Sequence, residues 1–201
     1  MKRTFLSTIV AIAVVCFGVV AIARYRRAAQ PLSAPTTKEE PVATVADLKP
    51  DIFVSAANAP KAPLFAEGAW LNSDPIRLDK LSDRVVLVEF WTFLCSNCRN
   101  TLPAVKQWDA KYRDRGLTVV GVHTPELAEE YKIDRVRSEI QSLGINYPVV
   151  TDNDYKTWQA YGVEAWPTMF VLDKQGRIRW LHVGEGSYQE TEEVIRGLLA
   201  E

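Results

Sequence analysis

The segment VVLVEFWTFLCSNCRNTLP, residues 85–103, decides the fold of this chain. Its first half is a continuous apolar run, which is typical of a β-strand buried on both faces. After Cys98 the apolar residues recur at helical spacing, beginning with Leu102 and Val105. The segment therefore predicts a buried strand that leads directly into a helix, with Cys95 and Cys98 at the junction.

Cys95 and Cys98 are two of the three cysteines in the chain, and several kinds of site compete for them. A structural zinc site normally needs four ligands, and the only histidines, His123 and His182, are not spaced as a pair. Covalent haem needs a histidine after the second cysteine, where this chain has Arg99. A structural disulfide across two residues would close a tiny loop and add little stability. A redox pair is the favoured interpretation, and we expect neither a metal nor a cofactor.

The position of the pair has a chemical consequence. A helix N-terminus presents unpaired N–H groups and partial positive charge, which favour a thiolate at Cys95. Such a thiolate can attack a disulfide in another protein, and Cys98, one turn further on, can then attack the mixed disulfide. We therefore expect Cys95 to be the nucleophile and Cys98 the resolving cysteine. A Cys-X-X-Cys pair at a strand-to-helix turn is typical of a thioredoxin-like motif.

Several separate positions resemble the thioredoxin superfamily. FW at 90–91 precedes the cysteines as at the end of that family's active-site strand, and Pro103 matches the proline that bends its active-site helix. WPT at 166–168 is similar to the family's cis-proline turn, which faces the disulfide. The resemblance covers residues 64–201. It implies an α/β, thioredoxin-like fold with a central mixed sheet flanked by helices.

The region between His123 and Tyr155 predicts an additional helix and strand. It resembles the helix-strand insertion of the TlpA/ResA-type branch, whose members are membrane-tethered, exported thioredoxins. The stretches GLTVVGVHTPE, YPVVTDNDYKTWQAYG and GEGSY are especially similar to the thioredoxin-like domain of DipZ-type proteins. After the alternating strands and helices we expect a hairpin and a last helix. Ser187 and Glu190 predict a capping box at the start of that helix.

The resemblance also suggests roles for Glu89 and Pro167. Glu89 falls where the family often places a buried carboxylate, and desolvation would raise its pKa. It would accept the proton of Cys98 during exchange. The alternative is that Glu89 points to a polar edge or pairs with a cation. Pro167 is expected to follow a cis peptide bond beside the disulfide.

Two tryptophans are candidate substrate-binding residues. Trp91 is expected to shield Cys95 at the surface, and Trp166, which precedes the cis-proline, is expected to widen an apolar docking face. Core packing is the alternative for each of them. We expect His123, which follows a predicted strand, to be structural rather than catalytic.

The beginning of the chain predicts a membrane anchor. Residues 4–23 form an uncharged, mostly apolar run of about 20 residues, which is long enough to span a bilayer as a helix. A cleaved signal peptide, whose apolar region is usually ~7–15 residues, is the alternative. We predict an anchor over residues 1–27, a Pro/Ala-rich linker over 28–63 and the thioredoxin-like domain over 64–201. Within the linker, residues 48–56 are more apolar than the rest, and we expect them to dock on some other part of the protein.

The implied function is that of a membrane-anchored thiol:disulfide oxidoreductase. We expect a single-pass protein of the inner (cytoplasmic) membrane, with its catalytic domain on the periplasmic side. Its partners would be protein thiols and disulfides, together with a membrane electron-relay protein or an oxidase. A reductant is favoured, although Ser96 and Asn97 between the cysteines leave the direction open. A formal net charge of −1 lacks the basic field that a nucleic-acid partner requires.

Two other functions stay open at this point. A peroxiredoxin-like thiol peroxidase is suggested by Thr92, three residues before Cys95, but Val88 stands where such enzymes carry a proline. A copper-binding or scaffold module of the same fold would need His123 or His182 as a ligand.

Overall fold

The computed structural model describes residues 43–201. The predicted anchor over residues 1–27 lies outside this range, as does the first part of the predicted linker, and both stay predictions. Within residues 43–201, no helix combines the length and the apolar character needed to cross a bilayer. The predicted thioredoxin-like domain over residues 64–201 lies entirely inside the described range.

A mixed β-sheet forms the centre of the domain. Its strands in the described residues are β1 (Trp70–Leu71), β2 (Val85–Trp91), β3 (Leu117–His123), β4 (Val149–Thr151), β5 (Thr168–Leu172) and β6 (Ile178–Val183). Their spatial order is β1-β4-β3-β2-β5-β6. Strands β2, β3 and β4 are parallel, whereas β1, β5 and β6 pair antiparallel with their neighbours. The predicted parallel part and the closing hairpin are therefore both present.

Helices cover both faces of this sheet. The α-helices in the described residues are α1 (Ser96–Tyr112), α2 (Ile133–Ser142), α3 (Lys156–Ala160) and α4 (Tyr188–Ala200). Short 3₁₀ helices lie at Val45–Asp47, Leu78–Lys80, Arg113–Arg115 and Ala128–Tyr131. Leu87 and Trp91 of β2 face the cluster that contains α1, α2 and α4, whereas Val88 and Phe90 face the cluster that contains Trp158 of α3. Because β2 packs on both faces, all of its residues are buried.

The insertion predicted between His123 and Tyr155 is present as α2 and β4. The capping box predicted for the last helix is wrong. Ser187 does precede α4, but its side chain makes no capping hydrogen bond. Its φ of 44° places it in the left-handed region, whereas a capping serine normally has extended backbone that aims its hydroxyl at the first turn.

The described part of the predicted linker is hydrogen-bonded to the edge of the sheet. Val54 donates its N–H to the carbonyl of Arg179 at 2.9 Å, and Ile178 donates its N–H to the carbonyl of Pro60 at 2.8 Å. The Arg179 side chain returns a hydrogen bond to the Val54 carbonyl at 2.6 Å. Residues 43–63 thus cover β6, whose outer edge would otherwise expose unpaired backbone groups. The docking expected for residues 48–56 is present, since Asp51 and Val54 donate their backbone N–H groups to carbonyls of β6.

Candidate active site

Cys95 and Cys98 lie at the N-terminus of α1, where β2 leads into the helix. Cys95 is the residue that precedes the helix, and Cys98 lies in the first turn. The backbone N–H of Cys98 donates to Sγ of Cys95 at 3.3 Å. Both cysteines are free thiols, with Cys95 half-buried and Cys98 fully buried. A partner can therefore reach the first sulfur directly, whereas the second lies behind it in the core.

Burial makes Cys98 a weak acid. Desolvation raises its pKa, and the hydrogen bond with Cys95 acts in the same direction. The thiolate is the attacking species in thiol-disulfide exchange. Cys98 therefore needs a nearby group that accepts its proton before it can act as a resolving cysteine.

Glu89 is a buried carboxyl group on the same side of β2 as Trp91. Its side chain is fully buried, and the hydroxyl of Tyr147 donates to Oε2 at 3.0 Å. The other oxygen, Oε1, has no hydrogen-bond partner among the described residues. Burial raises the pKa of Glu89 to about 7, against the opposing effect of the Tyr147 hydrogen bond. The expected desolvation is present, and within residues 43–201 the carboxyl group has Tyr147 as its hydrogen-bond partner and pairs with no cation.

Glu89 and Cys98 interact electrostatically. Negative charge on Glu89 contributes to the raised pKa of Cys98. A carboxyl group with a pKa near 7 is half ionised at neutral pH, so it can both accept and release a proton there. Glu89 is therefore the candidate group for exchanging a proton with the buried thiol of Cys98.

The predicted cis peptide bond is present between Trp166 and Pro167. Thr168, the next residue, pairs with Phe90 of β2, so the turn lies beside the end of the strand that leads to Cys95. Trp166 is half-buried, with Nε1 donating to the carbonyl of Thr124 at 3.1 Å. Its ring lies 4.2 Å from that of Trp158. Trp166 therefore contributes to core packing and also keeps an exposed portion.

Trp91 does not lie at the surface, and the expectation that it shields Cys95 there is wrong. Its side chain is fully buried, packed over Gly121 and edge-on to the ring of His123 at 5.4 Å. The physical reason is that β2 is an inner strand covered on both faces, so its last residue is still in the core. Trp91 cannot contact a substrate in this structure.

Gly121 of β3 gives Trp91 and Tyr147 their space. A methyl group at position 121 would lie 2.8 Å from Nε1 of Trp91 and 3.2 Å from Cε2 of Tyr147. We expect Gly121→Ala to lower the free energy of unfolding by about 1–3 kcal/mol, because a packed core resists added volume. Denaturant unfolding followed by tryptophan fluorescence measures this change.

Gly197 supplies the matched control for that substitution. It lies in α4, and a methyl group there would meet nothing within 4 Å. Gly197→Ala is expected to stabilise the protein by about 1 kcal/mol through helix propensity. Equal unfolding free energies for Gly121→Ala and the wild type would show that the contact around Trp91 is not tight.

His123 is buried beneath the loop that carries the cysteines. Its Nε2 lies 3.2 Å from Oγ1 of Thr92, and its ring stacks on Phe93 with centroids 5.6 Å apart. Burial lowers the pKa of His123 to about 4, so the ring is neutral at physiological pH. These contacts agree with the structural role expected for His123.

Glu130 is a buried residue of this region that the sequence analysis missed. Its Oε1 accepts the backbone N–H of Leu94 at 2.9 Å, and its Oε2 accepts the backbone N–H groups of Glu126 and Leu127, each at 2.8 Å. Leu94 is the residue immediately before Cys95. The sequence around Glu130 has neighbouring charges at Glu129 and Lys132, which hid it among surface residues.

Comparison with known proteins places the chain in a family. The model of the AhpC/TSA family matches residues 59–181, a region that contains both cysteines and Pro167. The chain belongs to the AhpC/TSA family.

Within residues 43–201, no group of three or more His, Cys, Asp or Glu side chains is placed to hold a metal ion.

Individual relatives agree with this assignment. Protein DipZ of Mycobacterium tuberculosis is 43% identical over 133 residues, which cover 65% of this chain and 19% of DipZ. The chain therefore spans about a fifth of the length of that relative. Thiol-disulfide oxidoreductase YkuV of Bacillus subtilis is 29% identical over 142 residues, which cover 71% of this chain and 95% of YkuV.

Solved structures support the same conclusion. The structure of a thioredoxin-like protein in its oxidized form superimposes with a TM-score of 0.63 and 28% identity. The match covers 71% of this chain and 95% of that protein. The predicted thioredoxin-like α/β fold, with a mixed sheet flanked by helices, is confirmed.

Proposed function

We propose that this protein is a thiol-disulfide oxidoreductase that exchanges disulfides with other proteins through Cys95 and Cys98. One observation carries the proposal, namely the half-buried Cys95 at the start of α1 with the fully buried Cys98 behind it. The similarity to YkuV, which is named a thiol-disulfide oxidoreductase, supports the same activity.

In the first step the Cys95 thiolate attacks one sulfur of a client disulfide. The client S–S bond breaks, a mixed disulfide between Cys95 and the client forms, and the other client sulfur leaves as a thiolate. The N–H of Cys98, 3.3 Å from Sγ of Cys95, stabilises negative charge on the attacking sulfur. The half-exposed position of Cys95 allows this attack without opening the core.

In the second step Cys98 resolves the mixed disulfide. Glu89 accepts the proton of the Cys98 thiol, and the resulting thiolate attacks Sγ of Cys95. The Cys95–Cys98 disulfide forms, the bond to the client breaks, and the second client sulfur leaves as a thiolate. Two electrons have then passed from the cysteine pair to the client.

The direction of electron flow and the membrane attachment are finer parts of the proposal. We favour a reductant whose cysteine pair is reduced again by a membrane electron-relay protein. An oxidant would need an oxidase in its place. The apolar run at residues 4–23 supports a single-pass anchor in the inner membrane, with the catalytic domain on the periplasmic side.

Reduction of insulin disulfides by the full-length protein, with dithiothreitol as electron source, tests the activity. The wild type is expected to accelerate insulin precipitation, and Cys95→Ala is expected to abolish the acceleration. A wild type without effect on insulin or on any other protein disulfide would contradict the proposal. Consumption of hydrogen peroxide by Cys98→Ala would instead indicate the thiol peroxidase alternative.

The equilibrium potential of the Cys95–Cys98 couple tests the direction. A value near that of thioredoxin, ~−270 mV, is expected for a reductant, and a value near ~−120 mV would indicate an oxidant. Membrane fractionation and protease accessibility of the intact cell envelope test the anchor and its orientation. A protein recovered only in the soluble fraction, shortened at its N-terminus, would indicate a cleaved signal peptide.

A further inference from the structure

Glu130 binds the loop that carries Cys95 to the inserted segment between β3 and α2. Its carboxylate accepts three backbone N–H groups: that of Leu94, next to Cys95, and those of Glu126 and Leu127 in the insertion. One side chain therefore joins the residue before Cys95 to a separate part of the chain.

A carboxylate suits this position because all three of its partners are backbone N–H donors. An ionised carboxylate offers only acceptors, so it can satisfy every one of these groups at once. An amide at position 130 would have to turn its NH₂ group toward at least one of these N–H groups, which would leave that donor unpaired in the core.

The ionised form is maintained despite burial. Desolvation acts to raise the pKa of Glu130, but the nearby hydroxyl of Thr92 and the hydrogen bonds from the N–H groups of Leu127, Leu94 and Glu126 outweigh it and lower the pKa. A lowered pKa means that the stabilising contribution of Glu130 is present at neutral pH and is lost only as pH falls through the acidic range. The loop is therefore held throughout the pH range in which thiol-disulfide exchange takes place.

A second contact joins the same two segments. The guanidinium of Arg135, in the first turn of α2, lies 6.0 Å from the ring centre of Phe93. Arg135 is exposed, so this contact contributes little by itself. The buried carboxylate of Glu130 is thus the principal polar connection between the insertion and the loop before Cys95.

We propose that Glu130 is a positioning residue for thiol-disulfide exchange, which holds Leu94 and thereby fixes the place of Cys95 at the N-terminus of α1. This inference rests on the proposed function. Glu130 acts through the backbone and does not touch the reacting sulfurs. The insertion accordingly has a role in the reaction, since it supplies the residue that orders the cysteine loop.

Glu130→Gln in the full-length protein tests this role, with Glu129→Gln as the matched control. Glu129 is the preceding residue, is exposed and, in the described part of the chain, forms its side-chain ion pair with Lys132 alone. We expect Glu130→Gln to lower kcat/KM for insulin reduction roughly tenfold to a hundredfold, as for other misplaced reacting groups. The rate of Cys95 alkylation by iodoacetamide, measured in a Cys98→Ala background, should fall in parallel, and Glu129→Gln should match the wild type in both assays.

Hydrogen exchange separates positioning from a general loss of stability. Peptides that contain Leu94 and Leu127 should exchange faster in Glu130→Gln, whereas peptides from the centre of β3 should exchange as in the wild type. The rates of insulin reduction and of Cys95 alkylation are compared per folded molecule. A purely structural role of Glu130 would lower the melting temperature without changing these two rates. If Glu130→Gln does not fold, Glu130→Asp keeps the charge but shortens the reach, and the same changes are expected.

The outcomes distinguish this inference from the proposed function. Suppose that the wild type reduces insulin and that a folded Glu130 variant matches it in hydrogen exchange and in Cys95 alkylation. This result would overturn the positioning role of Glu130. Faster exchange at Leu94 without loss of Cys95 reactivity would overturn it too. If the wild type reduced neither insulin nor any other protein disulfide, while Cys95 alkylation still depended on Glu130, the proposed function would be refuted and the positioning of Cys95 by Glu130 would be retained.

Discussion

Cys98→Ala is expected to convert this protein from a catalyst into a trap. The Cys95 thiolate can still attack a client disulfide, but no second thiolate remains to release the product. Turnover should fall on the order of 10³-fold or more, as when an essential catalytic group is removed. The mixed disulfide should accumulate, because the fully buried position of residue 98 keeps external thiols away from that side of the bond.

Non-reducing electrophoresis and mass spectrometry of the linked species measure this effect. Cys95→Ala is the matched control, since it removes the nucleophile from the same loop and should form no adduct. Both variants are best compared in a Cys16→Ala background, because Cys16 is the only other cysteine. If Cys98→Ala turned over insulin at the wild-type rate, Cys98 would not be the resolving cysteine.

The parts of the fold and site that could be predicted depend on local sequence patterns. The continuous apolar run before Cys95 identified a strand covered on both faces, and the change to helical spacing after Cys98 identified α1. The cysteine pair itself follows from its spacing. The cis bond before Pro167 followed only from family resemblance, because no local rule separates one proline from the others.

The parts that could not be predicted depend on contacts between distant segments. Glu130 receives hydrogen bonds from Leu94, 36 positions away, and nothing in its local sequence marks it as buried. Tyr147 lies 58 positions from Glu89, and its local sequence likewise gives no indication that its hydroxyl donates a hydrogen bond to Glu89. Trp91 is a different case, since the apolar run that predicted β2 already indicated a core position for its last residue.

Glu89→Gln is expected to slow the release of client from Cys95 about 10²-fold near neutral pH, the lower range for a lost general base. Since the pKa of Glu89 is raised to about 7 by burial, the wild-type rate should rise with pH and inflect near that value. The variant should lose the inflection. Stopped-flow measurement of resolution between pH 5 and 9 checks this, and an unchanged rate across pH 6–8 would remove Glu89 from the mechanism.

The same substitution should change how stability depends on pH. Burial raises the pKa of Glu89 in the folded protein to about 7, against 4.5 for an unperturbed glutamate, so folding favours its protonated form. The contribution of Glu89 to the free energy of unfolding is fully present below pH 4.5 and is lost as pH rises through 7. The free energy of unfolding changes by about 3 kcal/mol over this range. Relative to the wild type, Glu89→Gln should therefore gain about that much unfolding free energy between pH 4.5 and 8.

Tyr147→Phe tests whether the pKa of Glu89 controls both effects. The Tyr147 hydroxyl donates to Oε2 of Glu89 and lowers its pKa, in opposition to burial. Without this hydrogen bond the pKa should rise further, so the inflections in exchange rate and in stability should move together to higher pH. If only one of the two inflections moved, the pH dependence of the exchange rate and that of stability would belong to different groups. Glu89 would then account only for the inflection that moved.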